Sequence, residues 1–283
     1  MAKLLKGAPA AKALNESTRL RAEALRARGI VPTLAIVRTG DREDTAGYER
    51  SAVKSCMKQG IEAKCVRLEE NMDAEKWLDE IRRLSRDETV HGVLVLFPIP
   101  ASVSRADLGR ALDPKKDVDG ITPASLAGAF TGSGEGYPPC TADACIRLLE
   151  YYGVEISGSR AVVIGRSLTV GRPAAMMLMD RNATVTICHT RTKNVEKIAK
   201  EADILLVATG VKGSVGAAAF KPGQTVVDVG FHEDAEGLFS GDADFDSAFR
   251  VADAITPVPG GVGPLTTAIL LSHTVDAADH TLT

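Results

Sequence analysis

The sequence predicts an α/β protein built as two domains. Three observations carry this. Apolar runs of strand length alternate with amphipathic stretches of helix length along the chain. Between Asp113 and Pro139 that pattern breaks, in a segment holding Pro114, Pro123, Pro138 and Pro139 with Gly120, Gly128, Gly132, Gly134 and Gly136. The length, 283 residues, suffices for two domains, each with its own core. Apolar residues make up 45% and charged residues 25%, a balance that excludes wholesale disorder.

The elements follow in order. An amphipathic helix is expected from about Ala8 to Arg28. The apolar run Thr33–Arg38, between Pro32 and Gly40, reads as a buried strand. Thr45–Gln59 has helical spacing and stops at Gly60, a residue suited to the position after a helix end. Glu62–Leu68 reads as a strand, Ala74–Leu84 as a helix and Gly92–Phe97 as a strand. Pro98 and Pro100 end that strand, since proline donates no ladder hydrogen bond. Arg105–Leu112 is a short helix, and 113–139 reads as irregular chain leaving the first domain. The boundary is set near Cys140, and Thr141 is expected to cap a helix through Tyr152. The second unit supplies strands at Arg160–Ile164, Ala183–Cys188, Ile204–Ala208 and Thr225–Val229, with a helix over about Val170–Asp180. Strands separated by helices pair in parallel. A Pro/Gly-rich loop, Thr256–Thr267, precedes a last helix over about Thr266–Ala278.

Composition excludes several classes. The net charge of −3 lacks the basic surplus of a nucleic-acid binder. Val93–Phe97 and Ile204–Ala208, the longest apolar runs, fall far short of a membrane span. The opening Met1-Ala2-Lys3-Leu4-Leu5-Lys6 has no signal-peptide pattern. Cys56, Cys65, Cys140, Cys145 and Cys188 are odd in number and lack C-x-x-C spacing, as expected of reduced thiols in a cytoplasmic protein. His91, His189, His232, His273 and His280 form no H-E-x-x-H set, so no metal is expected.

The chemistry begins at residue 161. The strand Ala161–Ile164 runs into Gly165-Arg166-Ser167-Leu168-Thr169-Val170-Gly171-Arg172-Pro173. This order of strand, glycine turn and helix marks a Rossmann-like dinucleotide-binding domain. Gly165 takes the tight turn, Gly171 lets helix and strand pack closely, and N–H groups at the helix start face a pyrophosphate. The loop departs from G-x-G-x-x-G, with Ser167 as the second glycine and a final spacing one residue longer; a plain strand-to-helix turn is the alternative. The next strand ends Cys188-His189-Thr190-Arg191, with no Asp or Glu for a ribose 2′-OH. Thr190 and Arg191, with Arg166, suit a 2′-phosphate, which arginine binds bidentately. NADP is therefore favoured over NAD; the bland reading of Arg191 is a solvated surface charge. Thr209 and Gly210, following the strand Ile204–Ala208, complete the expected cofactor-binding set of Gly165, Arg166, Ser167, Val170, Gly171, Thr190 and Arg191.

Several segments together resemble the methylenetetrahydrofolate dehydrogenase/cyclohydrolase family. They are Asp117-Val118-Asp119-Gly120, Pro139-Cys140-Thr141, the glycine loop above, Val227-Asp228-Val229-Gly230, and Thr256-Pro257-Val258-Pro259-Gly260-Gly261-Val262-Gly263-Pro264-Leu265-Thr266, the most specific. The resemblance implies two α/β domains flanking a cleft, the second the Rossmann-like one. It sets a folate-binding catalytic domain at 1–139 plus 266–283 and an NAD(P)-binding domain at 140–265. It also implies a last helix packed on the first domain and a homodimer joined through the cofactor domains. The substrate implied is tetrahydrofolate in its 5,10-methylene form. Tyr48 would stack on the folate and Asp119 would bond the pterin ring; these are the expected catalytic residues. Pro259, Gly260, Gly261 and Val262 would lie by the substrate and the nicotinamide. Without the resemblance, Tyr48 reads as a half-buried helix aromatic and Asp119 as a turn carboxylate, a role Asp117 could equally fill.

Two positions break the family pattern. Four residues after the tyrosine, where the family places its cyclohydrolase lysine, stands Ala52. Gly40 and Gly60-Ile61 keep the family's spacings, so the register is fixed. Lys54 is a poor replacement, because a two-residue offset turns a helical side chain by roughly 200°. Leu96 stands where the family usually has the glutamine that bonds this lysine. The expectation is a dehydrogenase with weak or absent cyclohydrolase activity. Other readings are a fully bifunctional enzyme using Lys54 or a water chain, a non-catalytic folate or nucleotide binder, and a shikimate-type two-domain dehydrogenase.

Overall fold

The structure, a computed structural model, describes residues 1–282. In chain order the elements are β1 (Lys3–Leu4), α1 (Gly7–Ala27), β2 (Thr33–Thr39), α2 (Glu43–Lys58), β3 (Glu62–Leu68), α3 (Ala74–Arg86), β4 (Gly92–Val95), α4 (Arg105–Ala111), α5 (Pro123–Thr131) and α6 (Cys140–Tyr151). There follow β5 (Arg160–Ile164), α7 (Gly171–Asp180), β6 (Thr184–Cys188), α8 (Val195–Glu201), β7 (Ile204–Val207), β8 (Thr225–Asp228), β9 (His232–Glu233), β10 (Phe239–Ser240), α9 (Phe245–Val251), β11 (Ala254–Ile255) and α10 (Gly263–Asp279).

The chain divides into two compact units. One holds Lys12–Gly128, Ser133–Cys140 and the chain from Thr267 on. Its sheet has three parallel strands in the order β3-β2-β4. Trp77, Ile81 and Leu84 of α3 pack on Ala35, Val37, Val93 and Val95. They fall four and three residues apart, the spacing of one helix face. Asp73 caps α3 by accepting from the N–H groups of Glu75 at 3.0 Å and Lys76 at 3.3 Å. The indole N–H of Trp77 donates to Thr39 Oγ1 at 3.1 Å, so the buried ring leaves no polar atom unpaired. The guanidinium of Arg21 in α1 donates to Asp276 and Ser272 of α10.

The other unit holds Met1–Ala11, Ala129–Gly132 and Thr141–Thr266. Its sheet runs β1-β11-β8-β7-β5-β6 with every pairing parallel. All six strands therefore end on one edge. The order reverses between β5 and β7, the switch point at which open α/β sheets bind ligands. Leu205, Val207, Val162, Ile164 and Val226 form the centre of its core.

The fold corrects the sequence reading in several places. Residues 1–11 belong with the six-stranded sheet, whereas the expected division placed them in the 1–139 domain. Only the pairing of Lys3 with Ala254 and Leu4 with Ile255 reveals β1, and two residues carry no periodicity. The segment 113–139 is not wholly irregular. Pro123 opens α5 at the first helical position, where no N–H is needed, and Thr122 Oγ1 accepts from Ser125 N at 3.2 Å. Helix α6 begins at Cys140, so Thr141 lies within its first turn and is not the cap. The expected strand to Phe97 is assigned only to Val95, though Leu96 N still donates to Val37 O at 2.8 Å. Thr283, the end of the expected 266–283 segment, lies outside the described residues. No helix among the described residues is long and apolar enough to cross a membrane.

Candidate active site

In the three-stranded unit, α2 and the end of β4 frame a cavity of about 340 Å³ lined by Asp44, Thr45, Tyr48, Leu96, Phe97 and Asp119. Helical spacing explains the lining. Tyr48, Ala52 and Cys56 succeed one another at four-residue steps on one face of α2, with Ala52 at 3% exposure and Cys56 at 0%. Tyr48 is 44% exposed, yet its hydroxyl is pushed up to about 12, chiefly by burial and then by the nearby Asp119 and Cys140. The ring thus offers a face while its hydroxyl end is enclosed beside Thr267. Lys54, two residues beyond Ala52, is exposed. Leu96 is 8% exposed, and among the described residues no lysine or arginine lines the cavity.

The turn before α5 resolves the two aspartates. Asp117, fully buried, accepts from Ile121 N at 2.9 Å and Thr122 N at 2.7 Å. It is the turn carboxylate. Asp119 lines the cavity instead. Burial, reinforced by the neighbouring Asp117, raises its carboxyl to about 6, against the pull of Cys140 and His273 in the other direction. Cys140 Sγ donates to Val118 O at 3.2 Å and lies 3.8 Å from His273 Nδ1. His273, from α10, contacts the Tyr137 ring at 4.9 Å between centroids. Sequence reasoning quoted Cys140 within a motif but had no signal for His273, which is brought here from 133 residues away.

In the six-stranded unit the expected cofactor residues gather at the carboxyl edge of the sheet. Gly165 follows β5 with φ +128°, and a Cβ there would sit 2.0 Å from Ala208 O. A Cβ at Gly171 would sit 2.3 Å from Gly165 O. These close approaches form a cradle that excludes side chains, with the ten-residue helix α7 starting behind it. Ser167 Oγ accepts from Val170 N at 3.2 Å and Gly171 N at 3.3 Å. This cradle fits a dinucleotide pyrophosphate. Gly165 N donates to Cys188 O at 2.9 Å, so the loops after β5 and β6 leave side by side. Arg166, Thr190 and Arg191 are exposed on these loops. Neither arginine makes an ion pair among the described residues.

Thr209 and Gly210 follow β7, next to the glycine loop. The Pro259–Val262 loop follows β11 on the same edge; Pro259 and Gly260 are exposed and Val262 is buried. Gly7 N donates to Gly260 O at 2.9 Å, tying the N-terminal segment to that loop. Sequence reasoning missed Asp242 and His232, which stand behind the Thr209–Gly210 turn. Their partners lie 10 to 33 residues distant in the chain, so no local motif marks them.

The fold and this edge define an α/β protein carrying a Rossmann-like dinucleotide-binding unit. Comparison with known proteins makes the assignment specific. Residues 139–282 match the sequence model of the tetrahydrofolate dehydrogenase/cyclohydrolase NAD(P)-binding domain, and residues 5–119 match that of the family's catalytic domain. The chain is 43% identical over 281 residues to the bifunctional protein FolD of Carboxydothermus hydrogenoformans, covering 99% of this chain and 98% of that one. A crystal structure of the bifunctional FolD dehydrogenase/cyclohydrolase from Campylobacter jejuni superposes with a TM-score of 0.96 at 35% identity, covering 99% of this chain and 100% of that one. The Trypanosoma brucei dehydrogenase-cyclohydrolase, solved with NADP and an inhibitor, gives a TM-score of 0.92 at 33% identity over 99% of this chain and 98% of that one. The chain belongs to the tetrahydrofolate dehydrogenase/cyclohydrolase family.

Proposed function

We propose that this enzyme oxidises 5,10-methylenetetrahydrofolate to 5,10-methenyltetrahydrofolate with NADP as acceptor, and that its cyclohydrolase activity is weak or absent. The observation that carries the second half is the joint replacement at Ala52 and Leu96. A buried methyl stands one turn beyond Tyr48, an apolar side chain lines the cavity, and no lysine or arginine is among its lining residues in the described chain. In this reading the open face of Tyr48 stacks on the folate and Asp119 accepts N–H bonds from the pterin edge. Pro259, Gly260, Gly261 and Val262 are assigned to substrate contact. Gly165, Arg166, Ser167, Val170, Gly171, Thr190, Arg191, Thr209 and Gly210 are assigned to the dinucleotide.

When bound, the nicotinamide accepts a hydride from the folate's one-carbon bridge, and the folate's own nitrogen lone pair stabilises the cation left behind. That step asks the chain to hold and align groups. Hydrolysis of the methenyl product asks for more: water must be activated and protons moved, a task for which a positioned acid or base supplies about 10²–10⁴-fold. Loss of both members of a polar pair strands neither, so the cavity tolerates the exchange. Arg166, Thr190 and Arg191 support NADP over NAD, since guanidinium groups suit a 2′-phosphate. The working form proposed is a cytoplasmic homodimer; the family resemblance supports the homodimer, and the odd, unpaired spacing of the cysteines supports the cytoplasm.

The test is a paired assay on one preparation. Methylenetetrahydrofolate should reduce NADP in preference to NAD, while methenyltetrahydrofolate absorbance decays at about the buffer rate. Enzyme-dependent decay well above buffer would overturn the single-activity reading. A second reading, with hydrolysis retained, is favoured by the bifunctional name of the Carboxydothermus relative and by the Asp119 carboxyl near 6. As a converse check, Ala52→Lys with Leu96→Gln should raise hydrolysis by at least about tenfold, a fraction of the usual acid–base contribution. Ala52→Lys alone should gain less, because it buries an amine with no partner.

A further inference from the structure

Asp242 is fully buried, and its carboxylate gathers three segments of the six-stranded unit. Oδ2 accepts from Thr209 N at 2.6 Å and Gly210 N at 2.8 Å. Oδ1 lies 2.7 Å from His232 Nε2. The mount of this carboxylate is itself fixed. Asp242 N donates to Asp228 Oδ1 at 3.0 Å, and Ala243 N donates to Asp228 Oδ2 at 2.9 Å. A Cβ at Gly241 would lie 1.9 Å from Asp228 Oδ2, so the chain there packs against that second buried carboxylate with no room for a side chain.

A buried carboxylate is costly unless hydrogen-bonded, and here its partners are the amides of one turn and one imidazole. Charge-assisted bonds to backbone N–H groups are short and strong, which suits fixing a turn. That turn follows β7 at the sheet's switch point, where Ala208 O abuts Gly165 of the glycine loop. Its outer face is open, with Gly210 exposed at φ +71°. A carboxylate drawing both amides inward orients the outer face of the turn toward whatever occupies the edge.

We propose that Asp242 is a positioning residue for the dinucleotide, setting the Thr209–Gly210 turn through its amides, and that His232 holds the carboxylate in the orientation required. The inference rests on the cofactor assignment above and adds two residues outside it. The experiment is a fluorescence titration with NADPH, run beside steady-state kinetics on the full chain. His232 is half-buried outside the core cluster, so His232→Ala should fold. It should raise the NADPH Kd and the NADP KM by about five- to tenfold, the effect of losing roughly one ordinary hydrogen bond. The folate KM and kcat should stay within about twofold, the signature of lost ground-state binding of one ligand. His232→Gln, which returns an N–H donor, should recover most of the loss. Asp242→Asn should weaken NADPH more than His232→Ala does.

Unchanged NADPH binding in both His232→Ala and Asp242→Asn would overturn the proposal. So would a parallel loss of folate and cofactor affinity, or a glutamine that restores nothing. Should Asp242→Asn fail to fold, the His232 pair decides alone. A parent chain that binds NADPH but does not oxidise the folate would overturn the reaction proposed above and leave this inference readable by titration. A parent that binds neither NADPH nor NADH would overturn both.

Discussion

Asp119 illustrates how two residues of the same type, two positions apart, take different work. Asp117 spends its oxygens on backbone amides of the turn, while Asp119 faces the cavity with its carboxyl raised from 3.8 to about 6. Burial is the main cause, and the charge of Asp117 adds to it. The ionised form accepts two N–H bonds, whereas the protonated form has lost part of that capacity. Folate affinity should therefore be highest above pH 6 and fall as the pH drops through that value. Well below it the KM should rise by about tenfold per pH unit, as expected for a single titrating group. The stability linkage has the opposite sign. A carboxyl raised in the native state contributes stability that is present below about 4 and lost as the pH rises through about 6. Steady-state kinetics from pH 5 to 8 will check the binding limb. Asp119→Asn should flatten the pH dependence and hold the KM high throughout. A parent KM that is constant across pH 6 would remove Asp119 from pterin recognition.

The glycine loop after β5 is the element on which the cofactor assignment depends. At Gly165 the backbone has φ +128° and a Cβ would meet Ala208 O at 2.0 Å, so alanine is excluded by both conformation and contact. Gly165→Ala must push β5 and β7 apart or reshape the loop. NADPH titration should show affinity reduced by at least about 100-fold, with a stability loss of about 2–4 kcal/mol from backbone strain and disturbed packing. Near-parental binding would mean that the dinucleotide does not use this turn. This loop was legible in the sequence because strand, glycines and helix follow one another without a break from Arg160 to Asp180, and so were the parallel strands of both sheets. Elements whose signal is local and periodic came through: α2 stopping near Gly60, and α3 with its Trp77 stripe. What escaped was set by distant pairing. Strand β1 exists only because Lys3 and Leu4 find Ala254 and Ile255. The β9–β10 hairpin has two residues per strand, too few for alternation to register. Helix α5 was legible in principle, since Thr122 and Pro123 are a cap followed by a first-position proline, but the surrounding glycines masked it. At the candidate site, Tyr48, Ala52 and Leu96 could be named because the family resemblance marks their positions in the sequence. His273 and Asp242 could not, as their neighbours come from other parts of the chain.

For the whole molecule, cofactor choice can be read from stability without any turnover. A ligand that binds only the folded chain adds about 2.7 kcal/mol at a hundredfold excess over its Kd. For a chain of this size, each kcal/mol moves the melting temperature by about 2–4 °C. The net charge of −3 slightly disfavours any dianion, but the local field decides. Arg166 and Arg191 stand exposed on adjoining loops with no carboxylate paired to them among the described residues, while the chain's overall charge is dispersed and screened beyond about 10 Å. NADPH should therefore raise the melting temperature by several degrees more than NADH at equal concentration. Arg191→Ala should bring the NADPH shift down to the NADH value and leave the NADH shift in place, because the contact proposed for Arg191 is to the 2′-phosphate alone. The gap in the parent should narrow as salt rises from about 0.05 to 0.5 M, since an exposed guanidinium–phosphate pair is screened at the higher value. Differential scanning fluorimetry with both dinucleotides at two salt concentrations gives all of these values. Equal shifts for NADPH and NADH in the parent would return Arg191 to the role of a solvated surface charge. A larger shift for NADPH that survives Arg191→Ala would transfer the 2′-phosphate to Arg166.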